Sequence, residues 1–306
     1  MKNPLLKIDG EFSDIDRFIE SVAFWDQEYV KLDRSPYQSS FVQFVGEDFY
    51  VGQSIVKSKI FQLGGALPGF YAFGCETGDH HGSHIRSVDM SSGVAIGIRP
   101  GEEPAYSIPT SSSLITIALA APIVQRTPKL PPRNSGDLVG TICPASYHLT
   151  VQDLFKEILH YCDTAYQTGS YVDAQYVATV LSQNLIWKVR KNSHGNEPRE
   201  RRFTAFRQMV TSSLLGQDFD FNQFLERQGV GRNSTRRHLN ERIGLTPVQL
   251  ANMLRIFKAR KNLQSGAHST VTSAAIDAGV VHLSRFASVY QHIYGETPSE
   301  TLKRWT

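Results

Sequence analysis

Residues 271–298, VTSAAIDAGVVHLSRFASVYQHIYGETP, read as two helices meeting at a tight turn. Val271–Ala278 makes a short supporting helix, Gly279 to Val281 the turn, and His282–Tyr294 a longer second helix. Gly279 suits a turn position of positive φ, which a residue without Cβ adopts at no steric cost. Upstream, Val248–Leu263 (VQLANMLRIFKARKNL) sets Leu250, Met253, Leu254 and Phe257 on one helical face and Arg255, Lys258, Arg260 and Lys261 elsewhere. Further back the two-helix pattern recurs, with Phe221–Gln228, the turn Gly229-Val230-Gly231, and Arg232–Arg242 (RNSTRRHLNER) ending before Gly244 and Pro247. Leu239, Leu250, Leu254, Phe257, Phe286 and Tyr290 read as the core of this region.

The charge of the chain is concentrated here. The net charge of +3 over 306 residues divides into 15 Lys and Arg against 7 Asp and Glu after Glu200, and 17 against 22 before it, so +8 faces −5. A basic region of that density is the footprint of a nucleic-acid partner, because each neutralised phosphate releases condensed counterions. The second helix of each pair has the right groups for reading bases: Arg forks onto guanine O6 and N7, and Asn or Gln pairs with adenine N6 and N7. Arg232, Asn233, Arg236 and Arg237 put such groups on about one face of the first reader. The long helix between the pairs fixes their separation, and a spacing of about 34 Å would bring both into major grooves on one side of a duplex.

These residues resemble the DNA-binding domain of the AraC/XylS family of transcription activators. The marks are Gly-Leu-Thr-Pro at 244–247, the Arg255-Ile256…Ala259-Arg260 spacing, Ala275…Gly279, and Gly-Glu-Thr-Pro-Ser-Glu at 295–300. His282–Ala287 (HLSRFA) is similar to a branch that includes ethanolamine-operon regulators, and Ile98–Glu103 (IRPGEE) is loosely similar to that branch's sensor half. Carried over by position, the resemblance implies base contacts from Arg232, Asn233 and Arg236 in the first reader and His282, Ser284 and Arg285 in the second, with phosphate contacts from Arg237 and Ser288. Gly231 and Thr235 depart from the usual pattern in the first reader, which bears on its capping and fit, and Val280 and Ser288 depart from it in the second, which shifts the expected specificity toward the first. Against these roles stand surface ion pairs, Arg237 with Glu241 and Arg285 with Asp277. The implied partners are promoter DNA, RNA polymerase, a small-molecule effector and a second copy of the chain; the implied action is activation.

Outward from that region the pattern changes. From Ser40 to Ala120, short segments rich in aromatic and β-branched residues alternate with Gly, Pro, Ser and Asp turns, which predicts a β-rich, cupin-like barrel or sandwich of the kind that holds a small ligand, closed by an irregular proline-rich excursion over Ala121–Asp137. The fold class is therefore α+β and multidomain: a β-rich sensor over 1–150 with flanking helices, a helical dimerisation or packing segment over 151–194, a polar linker over 195–202, and an all-α region with two helix-turn-helix motifs over 203–306. Helices are expected over 12–30, 151–164 and 172–189. Tyr50, Phe61, Phe70, Tyr71 and Phe73 are candidates for an effector pocket, or else core.

The run GDHHGSH at 78–84 offers His80, His81 and His84, the sole basis for an alternative reading as a metal-dependent barrel enzyme fused to a DNA-binding domain; an exposed polar loop is the blander reading. No GxSxG, GxxxxGK[ST] or GxGxxG occurs, so no catalytic residue, metal site or cofactor is expected. Cys75, Cys143 and Cys162 fit neither a disulfide framework nor a CxxC knuckle. The longest apolar run, Leu114–Val124, is too short to span a bilayer. Without an export signal at the N-terminus, a cytoplasmic protein is expected.

Overall fold

The computed structural model describes residues 5–22, 25–78, 83–85, 88–90, 93–102, 105–108, 111–130, 137–143, 146, 149–190, 223, 226, 231, 233, 236–237, 240 and 245–305. The chain divides into two units. One comprises Met1–Glu28, Gln38–Lys57 and Gln62–Asn192, the other Tyr29–Tyr37, Ser58–Phe61 and Ser193–Thr306.

The β-rich pattern folds as two sheets, and among the described residues these do not close into one barrel. The larger has eight strands in the order β1 (Leu6–Phe12), β3 (Ser39–Val45), β4 (Phe49–Val56), β11 (Ser112–Ala120), β6 (Phe70–Glu76), β9 (Ala95–Ile98), β12 (Asp137–Ile142), β13 (Leu185–Arg190). Every pairing in it is antiparallel. The smaller runs β2 (Trp25–Lys31), β5 (Ile60–Ala66), β10 (Ala105–Ile108), β7 (His84–Ile85), β8 (Val88–Asp89).

Alternation decides what each face of the larger sheet meets. Val51, Phe73, Cys75, Ile115, Ile117 and Leu119 point to one side, where α2 (Ala121–Arg126), α3 (Val151–Gln167) and α4 (Ala174–Asn184) cover them. From α3 the stripe Leu154, Phe155, Ile158, Cys162 enters this core. Each such large side chain contributes roughly 1.5–3 kcal/mol by leaving water. A capping box starts α3: Thr150 Oγ1 accepts from Asp153 N at 3.1 Å, while the Asp153 carboxylate accepts from Thr150 N at 3.1 Å. The other face of the sheet carries Phe41, stacked on Phe12 at 5.2 Å.

Two helices are shorter than their apolar patterns suggest. Among the described residues of 12–30 the helix is α1 (Ile15–Ser21), capped by Asp14, and β2 takes over from Trp25. The helix expected over 172–189 stops at Asn184, because Leu185–Lys188 alternates buried and exposed with the period of a strand. Trp187 then lies over Gly140 and Gly97, where an added Cβ would come within 3.0–3.2 Å of its neighbours, so the glycines make room for the indole. The proline-rich 121–137 segment begins as α2, with Pro122 in its first turn.

The described C-terminal residues are helical: α5 (Pro247–Gln264), α6 (Val271–Asp277), α7 (Leu283–Tyr294) and α8 (Pro298–Trp305). Thr246 and Gln249 form a capping box at the start of α5. Leu250, Met253, Leu254 and Phe257 are buried on the side the sequence assigns to the core. Among the described residues no helix is long and apolar enough to cross a membrane.

Candidate nucleic-acid interface

The turn between α6 and α7 is fixed by backbone geometry. Gly279 sits at φ 75°, Val280 N donates to Ala275 O at 3.0 Å, and Gly279 N to Ile276 O at 2.9 Å, closing the end of α6 in the glycine-dependent way the sequence requires. Helix α6 is tied to α5 through Asp277. Lys258 Nζ donates to Asp277 O at 2.7 Å, and Asn262 Nδ2 donates to Asp277 Oδ2 at 2.9 Å and to Ala274 O at 3.0 Å. The Asn262 amide, and then the Lys258 ammonium, hold the Asp277 carboxyl below its ordinary range. Asp277 is therefore engaged from α5, and the alternative ion pair with Arg285 does not form.

The back of α7 is clasped more firmly still. Arg260, which helical spacing places off the apolar face of α5, is only 3% exposed. Its Nη1 donates to Tyr290 Oη at 2.9 Å and to Glu296 Oε1 at 3.0 Å, and its guanidinium lies 4.1 Å from the centre of the Tyr294 ring. Glu296 also accepts from Thr301 Oγ1 at 2.8 Å and pairs with Arg304. Burial pushes the Tyr290 hydroxyl up to about 12, with Arg260 opposing the shift. Gly295, at φ 75°, ends α7 and sends the chain toward Glu296.

With Phe286, Tyr290 and Ile293 buried, the front of α7 is left to solvent. His282 occupies the N-cap without a side-chain cap bond, and His282, Ser284, Arg285 and Ser288 are all exposed. Ser284, Arg285 and Ser288 share one stripe, extended back by Val281 at 73% exposure; Leu283 is 40% exposed beside it. Val281 and Leu283 are absent from the contacts inferred from the sequence, although two apolar residues interleaved with predicted base readers were the available signal. In the first reader Asn233, Arg236 and Arg237 are helical and exposed, at the i, i+3, i+4 spacing of one face. Arg232 lies outside the described residues, as do Leu239 and Glu241.

Residues 225–304 match a protein family described as "Helix-turn-helix domain". The C-terminal region carries a helix-turn-helix domain. Over 77 residues the chain is 35% identical to the "Probable thc operon regulatory protein" of Rhodococcus erythropolis, an alignment covering 24% of this chain and 23% of that protein. Over 147 residues it is 25% identical to the "XylDLEGF operon transcriptional activator 3" of Pseudomonas putida, covering 47% and 44%. The chain thus spans less than half the length of either relative. Among solved structures, the AraC-like transcriptional activator CuxR aligns with 89% of this chain and 100% of its own at 11% identity and a TM-score of 0.41. ToxT from Vibrio cholerae O395 aligns with 99% and 98% at 10% identity and a TM-score of 0.31.

Outside the helix-turn-helix domain, the five aromatic effector candidates are dispersed. The strand register sets Tyr50 beside Ala118 and Ala72, but Phe73 beside Ile117, on opposite faces of the larger sheet. Tyr50, buried and beside Trp25, has its hydroxyl pushed up to about 12 by burial. Phe73 packs against Trp187 at 5.1 Å within the helix-covered core, and Phe70 and Tyr71 are half-buried against that core. Phe61 is fully buried in the smaller sheet. Of the three histidines behind the enzyme alternative, His84 is nearly buried, with Nε2 3.9 Å from Asp89 Oδ2. His80 and His81 lie outside the described residues, and among the described residues no group of three or more His, Cys, Asp and Glu gathers as a metal site.

Proposed function

We propose that the protein is a sequence-specific DNA-binding transcription regulator, an activator whose N-terminal region binds a small-molecule effector and whose partners are promoter DNA, RNA polymerase and a second copy of the chain. The observation that carries this reading is the exposed front of α7. A clasped helix offers His282, Ser284, Arg285 and Ser288 to solvent at its N-terminal end, the end that a recognition helix inserts into the major groove. Arg285 makes no side-chain hydrogen bond or ion pair among the described residues, so its guanidinium is available to a guanine edge. Ser288 and Arg237 are assigned to phosphates; Asn233, Arg236 and Arg232 to bases. Self-association is supported by the exposed tyrosines Tyr161, Tyr166 and Tyr176 of α3 and α4, with the Tyr161 and Tyr176 rings 5.3 Å apart. Such a protein works in the cytoplasm, on the chromosome.

Selection of bound genomic fragments by the purified full-length chain at two salt concentrations tests the reading. The expected result is an enriched site with two short elements about one helical turn apart and an affinity that falls steeply with salt. Recovery of fragments in proportion to their input, at both salts, would overturn it.

A further inference from the structure

The eight-stranded sheet has a second feature that the aromatic candidates do not touch. Beside α3, on the helix-covered face, lies an open groove of about 670 Å³, within the size range of small-molecule sites. Register defines its geometry. Lys7, Asp9 and Glu11 of β1 point to the same face as their partners Phe44, Val42 and Ser40 of β3, and these lie beside Val51, Gln53 and Ile55 of β4. The edge strand thus forms one wall and the next two strands the floor. The opposite wall is α3, whose Lys156, Leu159, His160 and Asp163 recur at i, i+3, i+4 and i+7, a stripe next to the buried one.

The two walls carry opposed charges in matched order. Lys7 faces Asp163, and there the groove is closed: Lys7 Nζ donates to Asp163 Oδ1 at 3.3 Å and lies over the rings of Phe44 and Tyr166 at 5.5 and 5.7 Å. Beyond that rung come Asp9 and Glu11 on β1, with His160 and Lys156 on α3. Among the described residues none of these four makes a side-chain hydrogen bond or ion pair. Between them the floor is mostly aliphatic, with Val42, Ile55 and Leu159, and includes the Gln53 amide, which donates to Ser113 Oγ at 2.9 Å and keeps its carbonyl oxygen. One wall thus presents two acceptors for a cation and the other two donors for an anion, over an apolar base. The closed rung ends the groove, as suits a small molecule rather than an extended chain passing through.

We infer that this groove binds a free α-amino acid, with its ammonium group on Asp9 and Glu11, its carboxylate on Lys156 and His160, and its side chain over Val42, Ile55 and Leu159. A simple amine would leave Lys156 unanswered, and a simple carboxylate would meet the two acids of β1. The occupant joins β1 to the N-terminal half of α3, the helix that carries Tyr161 and Tyr166. That the bound amino acid acts as an effector rests on the regulator reading; the binding itself does not.

The test uses full-length protein and the twenty standard L-amino acids, each at millimolar concentration, followed by thermal denaturation and calorimetric titration. The expected result is that at least one raises Tm in proportion to the logarithm of its concentration. Its decarboxylated amine and its deaminated acid should each bind at least about tenfold more weakly, as should the amino acid itself to Glu11→Gln and to Lys156→Met, because each change removes one charge-assisted contact. No binding by any of the twenty overturns the inference, and so does undiminished binding of the amine or the acid to the wild type, a comparison independent of how the variants fold. Fragment selection separates the two readings: a protein that selects DNA and binds no amino acid keeps the regulator reading and loses this one.

Discussion

At the residue scale, α7 separates two kinds of base contact that different experiments read. Arg285 is an exposed fork, and its loss to Ala should cost about 1–3 kcal/mol on the selected site and relax the preference at one position, in competition with mismatched duplexes. Val281, at 73% exposure, has no polar group to offer, and in a major groove its natural contact is the 5-methyl of thymine. Replacing thymine by uracil in the selected site should therefore weaken the wild-type protein at one position, whereas Val281→Ala should bind both duplexes alike. Equal binding of the two duplexes by the wild type would remove Val281 from the interface and leave Arg285 where it is. Arg260 shows the converse lesson, because its type and spacing suggested an exposed cation, and its burial with Glu296 makes it a structural member of the domain.

At the scale of elements, the clasp around Arg260 ties three helices, since it joins α5 to Tyr290 on α7 and to Glu296 before α8, which in turn holds Thr301. Arg260→Leu strands the Glu296 carboxylate beside apolar surface with the Thr301 hydroxyl and the exposed Arg304 left to answer it, and breaking such a buried pair costs about 3–5 kcal/mol. Chemical denaturation followed by far-UV circular dichroism should show that loss; a cost below about 1 kcal/mol would mean that the pair is solvated. These helices were legible because their signals are local: the Thr246 to Gln249 capping box, Pro247 in the first turn, and Gly279 and Gly295 at positive φ are all written within a few residues. The strand β13 was not, because Leu185–Lys188 continues the apolar content of α4 and its alternation shows its meaning only once β12 is there to pair. The groove wall was illegible for the same reason, since Asp9 and Lys156 are brought together by sheet register and by the packing of α3, neither of which leaves a mark in the sequence around them. The aromatic candidates were chosen by residue type, and period two divides Tyr50 from Phe73 however similar their surroundings look in one dimension.

At the scale of the whole molecule, the chain is acidic before Glu200 and basic after it, and the N-terminal core carries a pH response of its own. The N-terminal core holds two thiols, Cys75 from β6 and Cys162 from α3, both buried in the same sheet-on-helix packing. Burial pushes each up to about 12 from an ordinary 9.0, with Glu76 adding to the shift at Cys75 and Lys156 opposing it. A thiol whose proton is held more tightly in the folded chain leaves the unfolded chain better able to ionise, so its effect on stability is nil below the unfolded value and unfavourable above it. Stability of this unit should accordingly fall as pH rises from about 9 toward 12, by at most about 1.4 kcal/mol per pH unit for each thiol. Cys143, intermediate in exposure, should react with a thiol reagent in the native protein at pH 8, while Cys75 and Cys162 wait for the core to open. The measurement is Tm against pH for the wild type and for the Cys75→Ala, Cys162→Ala double variant, with the cavity cost of the alanines appearing as a uniform offset. The wild-type curve should bend downward above pH 9 and the variant curve should stay flatter up to about pH 10, where tyrosines begin to contribute. Parallel curves would mean that the two thiols are no more costly to ionise inside the core than in the unfolded chain, and that the packing between sheet and α3 is open enough to admit water.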